Sequence, residues 1–222
     1  PLDEARQITN KTMVEVLDGL PPIKIHSSRF LIVGCGSIGE RHTKNLLSLG
    51  QEVLVYDKDA QRMENLVNKY KVSCYDFKSH HLPIDAFVIC TPPQYHIPFA
   101  FEALEHNSNI FIEKPLSHNM DRVDELIIRV KELSRVAMVG YQFRFNKELE
   151  NIQDLISKVQ IKVPLGILSI KAEFGQYLPD WHPNEDYRKL YTTKKEGGGI
   201  ILDASHEIDY VCWLAGSKVK HV

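Results

Sequence analysis

A glycine-rich turn between a predicted strand and a predicted helix constrains the fold of this chain more than any other feature. The turn reads Gly34-Cys35-Gly36-Ser37-Ile38-Gly39, and it follows the apolar run Phe30-Leu31-Ile32-Val33. In such a turn the first glycine permits a tight bend, the second lets a pyrophosphate approach the main chain, and the third lets the helix pack on the strand. Free N–H groups at the helix start attract anions. The context therefore favours dinucleotide binding over an ordinary turn, with five cofactor contacts: Gly34, Gly36, Ser37, Ile38 and Gly39.

An acidic residue closes the next predicted strand and bears on the choice of coenzyme. Asp57 ends the run Glu52–Asp57 and lies 23 residues after Gly34, where an acid commonly accepts the ribose hydroxyls of NAD. A carboxylate there repels a 2′-phosphate, so we expect NAD rather than NADP. The alternative is that Asp57 only caps a helix or a loop. Asp59 is the better candidate for that role, because it precedes a predicted helix over Ala60–Tyr70.

The composition indicates a soluble globular protein. The 222 residues include 27 basic and 29 acidic side chains, a formal net charge of −2, and 43% of the chain is hydrophobic. This balance gives no reason to expect nucleic acid or an anionic membrane as a partner, and no apolar run is long enough to span a bilayer. The four cysteines lack paired or zinc-type spacing, so we expect no metal site, reduced thiols and a cytoplasmic protein.

Strands and helices alternate from Arg29 onward, which predicts an α/β fold with a doubly wound parallel sheet. This Rossmann-type, NAD(P)-binding domain is expected over 29–145, with its ligand beyond the carboxyl ends of the strands. The predicted strands cover 29–33, 52–57, 72–75, 85–90, 109–112 and 136–139. The predicted helices between them cover 37–49, 60–70, 95–106 and 120–134.

The pattern changes on either side of this region. Residues 1–28 are assigned as an N-terminal arm of unknown role, and residues 146–222 as an incomplete α+β domain for substrate binding or oligomerisation. In the latter we expect a helix over 147–159, a strand with apolar residues alternating over 168–174, and a helix over 203–215. A lone amphipathic strand needs partners. We therefore expect the chain to be a piece of a longer protein, with a homo-oligomer as the other source of strands.

Lys114 is the first candidate catalytic residue. It follows directly on a predicted sheet strand in the segment Ile112-Glu113-Lys114-Pro115, so it should point into the cofactor cleft. There an ammonium group can donate a hydrogen bond to a substrate oxygen or to the nicotinamide ribose. The alternative is an ordinary surface lysine.

Asp203 and His206 form the second candidate catalytic group. On the predicted helix they share one face with Tyr210. An imidazole has the pKa range of a general base at neutral pH, and a neighbouring acid can orient it or bind substrate. The alternative is an Asp203 that only caps the helix and a solvated His206.

A loop after the fourth main strand should pass over the cofactor. It reads Thr91-Pro92-Pro93-Gln94-Tyr95-His96, and we expect cofactor contacts from Thr91, Pro92 and His96. A structural histidine at the start of the following helix is an equal reading for His96.

Weaker substrate candidates lie in two further loops. Arg144 and Asn146 follow the last predicted strand and could reach the cleft, whereas Trp181 and Arg188 belong to a polar, aromatic loop. Aromatic rings beside hydrogen-bonding groups are the mixture that holds sugars. A plain surface loop is the alternative for this second pair.

Together these segments resemble the Gfo/Idh/MocA family (glucose–fructose oxidoreductase, inositol dehydrogenase and MocA). The matching segments are 30–46, 85–96, 112–116, 140–146 and 197–214. The run Glu113-Lys114-Pro115 combined with the later glycines, Asp203 and His206 is more specific than the glycine turn, which many folds share. The resemblance implies a two-domain, mostly NAD(P)-dependent dehydrogenase of sugars, cyclitols or sugar nucleotides. It also implies that Lys114 is the lysine of the Glu-Lys-Pro motif, with Glu113 and Lys114 among the cofactor contacts and the bond to Pro115 a candidate for the cis form.

Two features depart from the family pattern. Asp203 and His206 lie three residues apart, where many members have four, although both spacings keep the two side chains on one helical face. The family's broad C-terminal antiparallel sheet is mostly missing before Val222. The first departure bears on how a substrate is oriented, and the second on whether this stretch is active by itself.

These residues lead to one main hypothesis, an NAD-dependent dehydrogenase acting on a small sugar-like hydroxyl or carbonyl. The hydroxyl would lie between Lys114 and His206. His206 would take its proton, Lys114 would stabilise the developing negative charge, and Asp203 would orient the group. A nucleotide-binding regulatory or assembly subunit without turnover is an alternative of another class. A third reading is an enzyme that uses NAD transiently for elimination or glycoside cleavage.

Overall fold

A six-stranded parallel sheet forms the centre of the structure. The computed structural model describes residues 27–79, 82–160, 167–175, 177–181, 186–189, 193, 199–217 and 219–221. The strands are β1 Arg29–Val33, β2 Glu52–Tyr56, β3 Ser73–Cys74, β4 Ala86–Ile89, β5 Asn109–Ile112 and β6 Ala137–Val139. They are ordered β3-β2-β1-β4-β5-β6, and each neighbouring pair is parallel. The order reverses at β1 and β4, which is where doubly wound sheets bind their ligands.

Helices cover both faces of this sheet, as the alternating sequence pattern predicted. They are α1 Ser37–Ser48, α2 Ala60–Tyr70, α3 His96–Glu105 and α4 Val123–Glu132. Successive residues of a strand point to opposite faces, and β1 shows this directly. Leu31 and Val33 belong to one buried cluster with residues of α3 and α4, whereas Ile32 belongs to a second cluster with residues of α1 and α2. The sheet is therefore buried between two helical layers.

Local capping follows the sequence prediction at α2. Asp59 is the N-cap, and its Oδ1 accepts hydrogen bonds from the main-chain N–H groups of Gln61 at 3.0 Å and Arg62 at 3.2 Å. The assignment of Asp59 as a capping residue is therefore confirmed, which leaves Asp57 for another role. The peptide bond between Lys114 and Pro115 is cis, as the family resemblance led us to expect.

The region after β6 differs from the prediction in two places. It contains the helices α5 Lys147–Gln160, α6 Leu178–Trp181, α7 Ile200–Asp203 and α8 Ser205–Ala215. The expected strand over 168–174 is wrong: residues 167–175 have no regular structure, and Leu168 is 85% exposed. A strand needs a neighbouring strand to pair with, and none of the six described strands pairs with this segment. The expected helix over 203–215 is interrupted at Ala204, which caps α8 with φ −95° and ψ 32°.

Some expectations fall on residues that the structure does not describe. These are most of the proposed N-terminal arm, residues 1–26, and the glycines at 197 and 198. The expected boundary between two domains at 145–146 stays a prediction. In the described part of the chain, no helix combines the length and the apolar character needed to cross a membrane.

Candidate coenzyme and active site

The glycine turn between β1 and α1 has the close packing that its sequence requires. Gly34 has φ +103°, and a Cβ atom added there would lie 2.7 Å from the main-chain oxygen of Cys90. A Cβ atom added to Gly39 would collide with the carbonyl oxygen of Gly34 and lie 3.2 Å from the side chain of Ile32. Only glycine allows the bend at the first position and the close helix–strand contact at the second.

The middle glycine leaves an open cradle at the start of α1. Gly36 is the N-cap of α1, no side chain caps the helix there, and a Cβ atom added to Gly36 would meet nothing within 4 Å. The first N–H groups of α1, those of Ser37 and Ile38, therefore border open space at the carboxyl ends of the strands. A helix N-terminus of this kind binds anions, because its N–H groups and its dipole both favour negative charge. The turn thus fits the diphosphate of a dinucleotide.

Asp57 supports the glycine turn as well as lying where a ribose would be expected. Its Oδ2 accepts a hydrogen bond from the main-chain N–H of Cys35 at 2.6 Å, and its Oδ1 accepts one from Asp59 at 2.9 Å. A carboxylate has about four lone-pair sites, so these two bonds leave acceptor capacity for ribose hydroxyls. Sequence reasoning found the position of Asp57 but not its bond to the turn.

The loop after β4 contributes one unpartnered polar atom. The Oγ1 of Thr91 is buried and has no hydrogen-bond partner among the described residues. Thr91 lies directly beyond β4, next to the glycine turn, whose Gly34 packs on Cys90 and Thr91. A buried hydroxyl without a partner is costly, and a ligand in the cradle would offer it one. Pro92, also predicted to contact the cofactor, is exposed in the same loop.

His96 has a structural position instead of the expected direct contact with a ligand. The residue is only 1% exposed. Its Nδ1 lies 2.8 Å from the main-chain oxygen of Pro115, and its Nε2 lies 2.7 Å from that of Thr91. Burial lowers the pKa of the imidazole, against the opposing influence of these carbonyl groups. Both ring nitrogens thus face carbonyl groups of the loops after β4 and β5, which favours the structural reading of His96 over a direct cofactor contact.

Glu113 reaches α1 through a residue that the sequence reasoning missed. Its Oε1 lies 2.7 Å from Nε2 of His42, and its Oε2 accepts a 3.2 Å hydrogen bond from the main-chain N–H of Lys114. Burial by itself would raise the pKa of Glu113, but the hydrogen bond and charge of His42 lower it below its ordinary value. His42 lies three residues after the buried Gly39 and next to the buried Thr43. That helical spacing on the sheet-facing side of α1 was the available signal.

Lys114 and Asp203 meet across 89 residues of sequence. The ammonium Nζ of Lys114 donates a 2.8 Å hydrogen bond to the main-chain oxygen of Asp203, and it lies 3.9 Å from the carboxylate Oδ1 of the same residue. Asp203 is 8% exposed and Lys114 is part-buried. The two residues do come together, but Asp203 ends α7 rather than sharing a continuous helix with His206.

His206 lies in the first turn of α8, packed between two aromatic rings. Its ring centroid is 5.1 Å from that of Phe143 and 5.8 Å from that of Tyr141, both in edge-to-face orientation. Its Nδ1 is buried and has no hydrogen-bond partner among the described residues. Burial and the nearby positive charge of Lys114 lower the pKa of the imidazole. The ring is therefore mainly neutral at neutral pH and able to accept a proton.

The four weaker substrate candidates lie elsewhere or have other partners. Arg144 forms a two-pronged ion pair with Asp209, and Asn146 accepts a 3.0 Å hydrogen bond from the main-chain N–H of Leu149 at the start of α5. Both side chains thus have structural partners, and their contact with a substrate stays a prediction. Arg188 is exposed, with its guanidinium 5.3 Å from the ring of its neighbour Tyr187. The side chain of Trp181 lies outside the described part of the structure.

Comparison with known proteins gives the same kind of fold. The uncharacterized oxidoreductase YrbE of Bacillus subtilis (strain 168) is 28% identical over 198 residues, covering 86% of this chain and 54% of that protein. The myo-inositol 2-dehydrogenase of Thermotoga maritima is 25% identical over 201 residues, covering 87% and 57%. A scyllo-inositol dehydrogenase from Lactobacillus casei, solved with NAD(H) and scyllo-inositol, superposes with a TM-score of 0.64 at 18% identity, covering 86% and 56%.

The share of each protein that this chain covers limits what the matches establish. The chain spans just over half the length of each of the three proteins, and the structural likeness at low identity shows a common fold. The model of the Gfo/Idh/MocA family, described as an oxidoreductase family with an NAD-binding Rossmann fold, matches residues 28–141, more than half of this chain. With the cradle, the strand order and this match in agreement, the chain belongs to the Gfo/Idh/MocA oxidoreductase family.

Proposed function

We propose that this chain forms the coenzyme-binding and catalytic part of an NAD-dependent dehydrogenase that acts on an alcohol of a sugar, a cyclitol or a sugar nucleotide. One observation carries the proposal. Lys114 is far in sequence from both Asp203 and His206, yet its ammonium bonds to Asp203 and its charge acts on His206. Two of the three similar proteins are named as inositol dehydrogenases, which supports a polyol-like substrate.

Each of the three residues has a chemical part that follows from its surroundings. His206 is held neutral by burial and by Lys114, so it can take the proton of a substrate hydroxyl as general base. Lys114 keeps its ammonium in place through the Asp203 carbonyl and donates a hydrogen bond to the substrate oxygen as negative charge develops on it. The Asp203 carboxylate, 3.9 Å from that ammonium, helps to orient it. NAD bound in the Gly36 cradle would supply the hydride acceptor.

The choice of NAD over NADP rests on Asp57. Its carboxylate is anchored to the glycine turn through Cys35, so it is fixed beside the place of the adenosine ribose. A fixed carboxylate accepts ribose hydroxyls and repels a 2′-phosphate. Lys58, next to Asp57, carries the opposite charge. Its Nζ lies 5.0 Å from the centroid of the Tyr95 ring, so this ammonium has an aromatic partner.

The direct experiment is a panel of cyclitols, sugars and sugar nucleotides, incubated with NAD and the intact gene product and followed by NADH absorbance. We expect at least one member to give sustained NADH formation that Lys114→Ala strongly reduces. NADH binding, measured in parallel by fluorescence, separates the alternatives. Binding without turnover on the whole panel would favour a regulatory or assembly subunit, and product formation without net NADH would favour transient use of NAD.

A further inference from the structure

We propose that Arg144 and Asp209 are positioning residues, whose ion pair holds two aromatic rings against His206 and so fixes the orientation of its imidazole. This inference rests on the proposed function, in which His206 is the general base. It gives a role to Arg144, which the sequence had suggested as a substrate contact.

The ion pair joins two elements that are distant in sequence. Arg144 lies in the 3-10 turn Gln142–Phe145 that follows β6, and Asp209 lies on α8, 65 residues later. The Nε of Arg144 donates to Oδ2 of Asp209 at 2.9 Å, and one terminal nitrogen donates to Oδ1 at 2.7 Å. The Asp209 side chain is only 12% exposed. Two parallel bonds between planar groups fix orientation as well as distance, so the pair sets how the turn lies on α8.

The same turn presents its aromatic residues to the same side of α8. Asp209 and Tyr210 follow His206 by three and four residues, so all three lie on one side of the helix. Phe143 packs edge-to-face on His206 at 5.1 Å and on Tyr210 at 5.9 Å. Tyr141, which directly precedes the turn, also packs edge-to-face on His206, with a distance of 5.8 Å between the ring centroids. The ion pair and the two ring contacts therefore belong to one interface.

His206 depends on this packing for the orientation of its ring, because no hydrogen bond from a described residue holds its Nδ1. In most catalytic histidines, the bond made by one ring nitrogen sets the tautomer and direction of the other. Here Nδ1 is buried and without a partner among the described residues. The orientation of the imidazole then depends on the rings of Tyr141 and Phe143, and their position depends on the Arg144–Asp209 pair. Proton transfer is sensitive to such placement, since misplacement by about 1 Å can cost about a hundredfold in rate.

The decisive measurement is NMR of the His206 ring in the chain itself, without coenzyme. Arg144→Gln removes the two-pronged bond. We expect it to remove the ring-current shift that Phe143 imposes on His206. We also expect it to raise the imidazole pKa, because the ring becomes hydrated and Asp209 loses its cation. The other charges around the ring, those of Lys114, Glu113 and Glu207, stay in place. Arg144→Lys, which keeps the charge but not the fork, is the milder variant should Arg144→Gln fail to fold.

Two further variants separate geometry from charge. Glu125→Gln breaks a matched two-pronged pair, Arg122–Glu125 with bonds of 2.8 Å, on the exposed face of α4, and we expect it to leave His206 unchanged. The exchange R144D/D209R restores an ion pair in the opposite sense, and we expect it to recover part of the ring-current shift. Neither result requires an active enzyme.

Kinetics complete the test. With a substrate from the panel, Arg144→Gln should lower kcat by about tenfold to a hundredfold and leave the KM for NAD unchanged, because the cradle at Gly36 is untouched. A folded Arg144→Gln or Arg144→Lys protein with the wild-type His206 shift and pKa overturns the proposal. A wild-type protein without dehydrogenase activity refutes the proposed function instead, and the NMR comparison then decides the role of the pair by itself.

Discussion

His42 and Glu113 share a 2.7 Å hydrogen bond between partly buried side chains, and this bond joins the coenzyme-binding helix to the segment that carries Lys114. The carboxylate also accepts the main-chain N–H of Lys114. The ring of His42 packs edge-to-face on Phe111, in the strand that leads to Glu113. The proposed diphosphate site at the start of α1 and the proposed catalytic lysine are thus linked through bonded groups.

The first prediction concerns acid stability. The pKa of Glu113 is lowered from an ordinary value of 4.5, so its charge stabilises the fold above about pH 4.5, and that stabilisation is lost as the pH falls through the lowered folded-state pKa. Glu113→Gln should cost about 1–2 kcal/mol at pH 7 and make unfolding free energy less sensitive to acid. Urea denaturation at several pH values measures both. Parallel pH curves for the wild type and Glu113→Gln would contradict the assignment. Glu64→Gln, at an exposed position of α2, is the control.

The second prediction separates the glycines of the turn. Gly36→Val places a side chain in open space, so the fold should persist while NADH affinity falls by about tenfold or more, because the cradle is filled. Gly34→Ala should instead destabilise the protein by about 1–3 kcal/mol, owing to its positive φ and the 2.7 Å approach to Cys90. Thermal unfolding and NADH fluorescence distinguish the two effects. Equal loss of stability in both variants would disprove an open cradle.

The third prediction concerns Lys114. Replacing it with alanine should lower kcat by about a hundredfold to a thousandfold, the loss typical when one charge-stabilising donor is removed. NADH affinity should change little, because the diphosphate binds at α1. Steady-state kinetics with a panel substrate and NADH fluorescence supply the two numbers. Lys131→Ala, at an exposed position of α4, is the control. Retention of kcat in Lys114→Ala would show that the ammonium has no part in the reaction.

The fourth prediction is a pH dependence. His206 must be neutral to accept a proton, and burial with the charge of Lys114 lowers its pKa from 6.5. In the oxidation direction, kcat/KM should therefore fall only below a pH that is itself lower than 6.5. Lys114→Met removes the charge that repels a proton from His206. In the residual activity of this variant, the pH at which kcat/KM falls should therefore move up toward 6.5, and NMR titration should show the same rise in the pKa of His206. If the pH at which kcat/KM falls moved down instead, the proposed effect of the Lys114 charge on the pKa of His206 would be wrong.

The fifth prediction tests coenzyme choice. Asp57→Ser removes the carboxylate that would repel a 2′-phosphate, so the affinity ratio of NADH to NADPH should fall by about tenfold. The glycine turn also loses its bond from Cys35 to Asp57, and overall affinity should decrease as well. Fluorescence titration with each reduced coenzyme gives the ratio. A ratio equal to that of the wild type would mean that Asp57 only supports the turn.

The sequence was informative wherever structure depends on neighbours in the chain. The strand over Arg29–Val33 and the helix over Ala60–Tyr70 were predicted with the bounds that the structure shows, because apolar spacing and capping residues are local signals. The conformation of the glycine turn was likewise predicted correctly, since its conformational demands lie within six residues. The position of Lys114 at the carboxyl edge of the sheet was predictable because it follows closely on β5, and its catalytic role stays a prediction.

Features that depend on contacts between distant elements were missed or misjudged. The segment 168–174 has the alternation of a strand but shows no regular structure, because alternation by itself cannot supply a neighbouring strand. Arg144 looked available for a substrate because its partner, Asp209, is 65 residues away. His42 was overlooked for the same reason, since Glu113 lies 71 residues later. The break at Ala204 depends on how α7 and α8 pack, which no local pattern encodes.

The oxygen that holds the Lys114 ammonium at 2.8 Å belongs to the peptide backbone of Asp203, not to its carboxylate. Every amino acid offers that same carbonyl, so the amine keeps its anchor whatever side chain occupies the position. The main-chain oxygen of Asp203 therefore holds the ammonium in position, and the carboxylate of the same residue carries the negative charge. A change of the side chain at position 203 therefore leaves the main-chain bond to the lysine available.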